Sequence, residues 1–192
     1  MFILASQSPR RRELLSMLGL DFQIVTADID ETMNPSLSIE DAVADVCRRK
    51  AEAVAVSHPD KLIVSADTIV VVDEMILGKP HDAEDAKAML RRLSGRTHTV
   101  MTAFCLLQKG VAETHVEKTH VRFKALSEEE ISAYVATGAP LDKAGAYGIQ
   151  GQAALFVEAL DGDYFNVVGL PLCALGKALR KAGVEILGST KE

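Results

Sequence analysis

The sequence predicts an α/β protein built on a mixed, not purely parallel, β-sheet. Three observations carry that expectation. Short β-branched runs alternate with longer runs of helical apolar spacing. Two strand-like runs, 97–107 and 111–123, meet at Lys109-Gly110 and read as a hairpin, which a purely parallel sheet does not contain. No repeat or break in composition divides the 192 residues, a length that suits one domain, 1–192, with a sizeable core.

The elements follow in order. Phe2 to Ala5 reads as a short buried strand, and Ser8-Pro9 as an N-cap followed by Pro at the first helical position. Leu14, Leu15 and Leu18 stripe that helix and Gly19 ends it. Phe22 to Thr26 alternates as a strand does, and an acidic loop with Asp28, Asp30 and Glu31 follows. Ser38 and Asp41 have capping-box spacing and open a helix carrying Ile39, Val43, Val46 and Val54. Leu62 to Val72 is β-branched but interrupted at Ser65-Ala66-Asp67-Thr68, and Asp73-Glu74 turns the chain into Met75-Ile76-Leu77. Asp82 caps a helix with Met89, Leu90 and Leu93. After the hairpin, Ser127 and Glu130 form a second capping box, and a Gly-rich loop runs from Ala139 to Gly151. Leu155 to Leu160 and Tyr164 to Val168 read as strands around Asp161-Gly162-Asp163, and Pro171 starts a final helix that ends near Gly183.

Composition excludes several classes. Lys and Arg total 21 against 27 Asp and Glu, a net charge of −6, so no global basic footprint for nucleic acid exists. Aromatic residues make up 5% and Trp is absent, which disfavours a base-stacking platform. A local basic cluster on an acidic chain still suits a small polyanion. The three Cys are widely spaced, without a zinc or disulfide pattern, and point to a reducing compartment. The apolar start at Met1–Ala5 is too short for a signal peptide, and no run is long enough to span a bilayer. The expectation is a cytoplasmic protein with no membrane partner.

Arg10-Arg11-Arg12 break a local rule. Each cation in a first helical turn opposes the helix dipole by roughly 0.3–1 kcal/mol. Either they fan into solvent, or they strengthen a phosphate site at the helix N-terminus, with Ser8 offering its hydroxyl. Asp67 lies in an apolar strand, where a carboxylate belongs to a satisfied network, a cleft-facing position or a metal site. Asp28, Asp30 and Glu31 suit either a hard cation or water, and spacing alone favours water. Lys50 closes the run Arg48-Arg49-Lys50, ordinarily a solvated face, and Lys79 stands in a loop before Pro80. The stretch from Asp142 to Gly151 is neither a P-loop nor a dinucleotide fingerprint. Cys47, Cys105 and Cys173 sit in apolar contexts and are expected to be buried, inert thiols. His98, His115 and His120 fall in the hairpin strands, where packing is the default role.

Six segments together carry a resemblance: Ser6-Gln7-Ser8-Pro9-Arg10-Arg11, Asp30-Glu31, Ser65-Ala66-Asp67-Thr68, Gly78-Lys79-Pro80, Asp142 to Gly151, and Gly162 to Pro171. In this order, over nearly the whole chain, they resemble the Maf family of nucleoside triphosphate pyrophosphatases. The resemblance implies an elongated mixed sheet flanked by helices around a central cleft, as in the wider inosine-triphosphate pyrophosphatase group. It implies hydrolysis of a nucleoside triphosphate to the monophosphate and pyrophosphate with a divalent cation, Mg²⁺ or Mn²⁺. It further implies a housecleaning role, a link to septum formation and a homodimer. By resemblance, Asp67 accepts the proton of the attacking water, and Glu31 with Asp67 holds the metal. Ser8, Arg11, Lys50 and Lys79 contact phosphates, while Arg10, Thr68 and Gln150 shape base selectivity. A sibling subgroup acting on 7-methyl-GTP has Trp, Gln and Glu at those last three positions, so this chain resembles the dTTP/UTP subgroup. A purine triphosphate pyrophosphatase and a non-catalytic nucleotide-binding regulator of division are the competing readings, and the second needs no Asp67.

Overall fold

The computed structural model describes residues 1–188. The first half of the chain forms β1 (Phe2–Ala5), α1 (Pro9–Met17), β2 (Phe22–Ile24), α2 (Ile39–Ala55), β3 (Ile63–Val72), β4 (Met75–Leu77) and α3 (Ala83–Leu93). The hairpin strands β5 (Thr97–Gln108) and β6 (Val111–Phe123) lead to α4 (Glu128–Ala136). Short 3-10 turns at Ala139–Asp142, Ala144–Ala146 and Gly151–Phe156 then precede β7 (Val157–Asp161), α5 (Tyr164–Val168) and α6 (Leu172–Lys181).

Among the described residues the strands form one seven-stranded sheet in the order β2-β1-β3-β5-β6-β7, with β4 paired to β3. β1 runs parallel to β2 and β3, while β4 and β7 run antiparallel to β3 and β6. The sheet is mixed, as the hairpin predicts. Both two-residue turns, Asp73-Glu74 and Lys109-Gly110, have positive φ at each residue, the mirror-image geometry that matches strand twist.

The chain divides into two compact units. The first comprises Met1–Asp67, Thr102–Glu117 and the chain from Gly169 onward. Ile3, Leu15, Val46, Ile63, Phe104 and Leu175 are fully buried in it. The second comprises Thr68–Met101 and Lys118–Val168, with Leu90, Phe123, Ile131, Tyr147 and Phe156 in its core.

Helix caps follow the sequence. Ser127 and Glu130 close a full capping box, with Glu130 Oε2 accepting from Ser127 N at 3.0 Å. At Ser38 the shorter Asp41 accepts instead from the Ser38 hydroxyl at 2.6 Å, while Ser38 Oγ accepts from Asp41 N.

Four expectations change. β3 runs unbroken through Ser65–Thr68, because buried Ser65 donates its hydroxyl to Cys47 O at 2.6 Å. The loop from Ala139 is largely 3-10 turns, and Leu155 belongs to the last of them, so β7 starts at Val157. Tyr164–Val168 is helical although its residues favour strands. Asp163 Oδ1 caps Phe165 N at 2.7 Å, and fully buried Asn166 donates to Val100 O at 3.0 Å and Thr119 Oγ1 at 2.8 Å. Lastly, Cys173 is exposed, because the buried stripe of α6 is Leu172, Leu175 and Leu179. Cys47 and Cys105 are buried as expected.

Candidate active site

The N-terminus of α1 has the features that an anion site needs. Ser8 caps the helix through Oγ, which accepts from Arg11 N at 3.4 Å, so its hydroxyl proton is available to donate. No acidic residue occupies the first turn. The three arginines separate: Arg12 is exposed, while Arg10 and Arg11 are half-buried. Arg11 Nε donates to Gly169 O at 2.9 Å and Nη1 donates to Ser6 Oγ at 3.2 Å. Ser6 Oγ also accepts from Ser8 N at 3.2 Å, so one buried hydroxyl links the cap to the guanidinium. Burial holds the Arg11 pKa below its ordinary value, and the negative charge of Asp67 opposes that shift.

The run Arg48-Arg49-Lys50 also separates, because successive helical residues point about 100° apart. Arg48 pairs with Asp45 at 2.5 Å and Glu52 at 3.1 Å on the surface. Arg49 straps the acidic loop to α2, donating to Asp30 O and to Thr32 O at 2.8 Å while pairing with Asp45. Lys50 turns inward. Its Nζ lies 2.8 Å from Asp67 Oδ1 and 2.9 Å from Glu31 Oε2. Lys50 and Asp67 are largely covered, at 13% and 16% side-chain exposure, whereas Glu31 remains 57% exposed. Beneath them Cys47 donates to Ala103 O at 3.2 Å, and burial, reinforced by Asp67, pushes its thiol far above the ordinary value. It is therefore inert.

Among the described residues no three His, Cys, Asp or Glu side chains cluster as a metal site does. Two carboxylates, Glu31 and Asp67, nevertheless converge on a single ammonium. That donor set fits a Mg²⁺-type ion, which takes one or two carboxylates and completes its shell with water and phosphate oxygens. Asp28 and Asp30 stay exposed, and Asp30 Oδ1 instead accepts from Thr32 N at 2.8 Å.

The first unit thus gathers Ser8, Arg11, Glu31, Lys50 and Asp67. Thr68, Lys79 and Gln150 belong to the second unit. Thr68 is half-buried in β3, Lys79 is exposed after β4, and Gln150 is exposed at the start of the last 3-10 turn. Sequence reasoning missed Ser6, Arg49 and the Gly169 carbonyl as supports. Only the polarity of buried Ser6 signalled any of them.

The sheet and its helices define the class first. The structure of the Staphylococcus aureus Ham1 protein aligns over 95% of this chain and 99% of its own with a TM-score of 0.51 at 16% identity, a likeness of fold. The family model for Maf-like protein matches residues 1–182. The chain belongs to the Maf family. A protein of Geobacillus sp. (strain WCH70) named dTTP/UTP pyrophosphatase is 52% identical over 94% of this chain and 97% of its own length. A protein of the same name from Desulfotalea psychrophila is 51% identical over 92% of each chain.

Proposed function

We propose that this protein hydrolyses nucleoside triphosphates, dTTP and UTP foremost, to the monophosphate and pyrophosphate in a housecleaning role. The observation that carries this reading is the Lys50–Asp67–Glu31 cluster in the same unit as the Arg11-bearing helix N-terminus. Membership of the family and the names of relatives at about half identity support it.

The reaction needs a water activated for in-line attack, an electrostatic cradle and a stabilised leaving group. Asp67 supplies the base: its carboxylate takes the proton as the water oxygen bonds to the α-phosphorus. The α–β bridging bond breaks and its electrons leave with pyrophosphate. Lys50, donating to Asp67 Oδ1, fixes the carboxylate's orientation. Arg11 and the free N–H groups of α1 receive phosphate charge, as does the Ser8 hydroxyl. Arg11 is already held by Gly169 and Ser6, so little side-chain entropy is lost on binding. Lys79 adds a further phosphate contact. Glu31 and Asp67 would hold a divalent cation, Mg²⁺ or Mn²⁺, which when bound neutralises charge developing on the phosphates.

Arg10, Thr68 and Gln150 choose the base. A Gln amide offers a donor and an acceptor, which suits the edge of uracil or thymine. The family resemblance also supports a homodimer, and the widely spaced cysteines suit the reducing cytoplasm. No helix among the described residues is long and apolar enough to cross a membrane. Separation of the products of UTP tests the reaction class. UMP with pyrophosphate is expected, and UDP with orthophosphate contradicts it.

A further inference from the structure

His98 and Tyr147 form a buried pair in the second unit that the chemistry above does not use. His98 is 2% exposed and Tyr147 5%. His98 Nε2 and Tyr147 Oη share a hydrogen bond at 2.7 Å. Both rings meet Phe123 edge-on, at centroid distances of 4.9 and 4.7 Å. Burial lowers the His98 pKa to about 4, so the imidazole is neutral near pH 7 and does not serve as an acid there. His98 Nδ1 meets no protein partner among the described residues.

The bond ties His98 to the chain around Tyr147. Tyr147 sits within the segment 143–151, which is fastened at several points. Gly145 N donates to Gly78 O at 3.0 Å, next to Lys79. Gly148 N donates to Tyr134 Oη at 3.4 Å. Ala146 is fully buried at φ 59°, a strained backbone for a residue with a Cβ. Gln150 follows Tyr147 by three residues and is exposed. The segment is therefore locked at its buried end and presents Gln150 at its open end.

We infer that His98, through its hydrogen bond to Tyr147, is a positioning residue for base selection: the pair sets where Gln150 stands. This rests on the reading of Gln150 as a base contact. The alignment of an amide with a base edge is a matter of tenths of an ångström, and a displacement near 1 Å is enough to lose it.

The test compares kcat/KM for UTP and GTP in the wild type, Tyr147→Phe, His98→Leu and Ile131→Val, the last thinning the same core without touching either hydrogen-bonding group. The UTP-to-GTP ratio is expected to fall about fivefold or more in Tyr147→Phe and His98→Leu. The loss should appear as a raised KM for UTP, with kcat within about twofold and the ratio in Ile131→Val unchanged. A wild type that prefers UTP, with ratios unmoved in both pair variants, overturns the inference and leaves the reading of Gln150 standing. A wild type with no preference for UTP overturns both. Failure of both pair variants to fold also overturns it, since the pair would then be a requirement of folding.

Discussion

In the proposed site Lys50 is central, because a loop carboxylate and a strand carboxylate share its ammonium. Lys50→Met keeps the aliphatic stem and removes the charge. It is expected to lower kcat/KM for UTP by about 10²-fold, the scale for losing a preorganised electrostatic group. Steady-state kinetics with a folded variant check this. Arg11 behaves differently from a surface cation. On helix-dipole grounds alone Arg11→Ala would stabilise α1, but the bonds to Gly169 O and Ser6 Oγ reverse the sign. Leaving that carbonyl unpaired costs about 1–3 kcal/mol, so the ligand-free Tm should fall while KM for the triphosphate rises. A raised Tm would mean those bonds contribute less than the helix-dipole penalty they oppose. The sequence marked Arg11 and Asp67 because each breaks a local rule, a cation at a helix N-terminus and a carboxylate in an apolar strand. Lys50 broke none. It sat in an ordinary charge run, and its inward turn depends on the placement of Asp67 and Glu31, which no local pattern contains.

At the scale of elements, the segment 143–151 depends on a glycine at position 145. Gly145 has φ +67°, and a Cβ there would lie 2.9 Å from Val70 Cγ2. Gly19 has a similar φ of +65° with nothing within 4 Å. Gly145→Ala therefore combines strain with a clash and is expected to cost about 2–4 kcal/mol, against about 1 kcal/mol for Gly19→Ala. Urea unfolding of the two variants measures the difference, and equal losses would show that Val70 gives way freely. Helices were legible from their caps: Ser8, Ser38, Asp82 and Ser127 each accept from a backbone N–H three residues on. α5 was not. Its residues favour a strand, and the hydrogen bonds of Asn166 to Val100 and Thr119 are tertiary facts that decide the matter.

For the whole molecule, stability should depend on pH through His98. Burial lowers its folded pKa to about 4, from 6.5 for an ordinary imidazole. At pH above 6.5 the imidazole is neutral in both states and its contribution is complete. Between pH 6.5 and 4 the unfolded chain takes up a proton that the folded chain refuses, so stability falls with acid. The loss is about 3 kcal/mol across that window, on the order of 1.4 per unit of pKa. Denaturation curves from pH 7 to 4 should show it, and His98→Leu should flatten it. The mixed sheet was readable from the hairpin and the alternation of elements, whereas the strand order β2-β1-β3-β5-β6-β7 was not, because pairing between distant strands leaves no local mark.

The proposed chemistry stands on one residue, Asp67, whose carboxylate, held by Lys50, is to activate the water. Asp67→Asn keeps the shape of the side chain and can still accept from Lys50, but it is a far weaker base. Pyrophosphate release from dTTP, measured beside circular dichroism and nucleotide binding to the same samples, tests that claim most directly. The variant should fold, should bind dTTP, and should turn over roughly 10²–10⁴-fold more slowly than the wild type. Turnover near the wild-type rate in a folded Asp67→Asn protein would contradict the account.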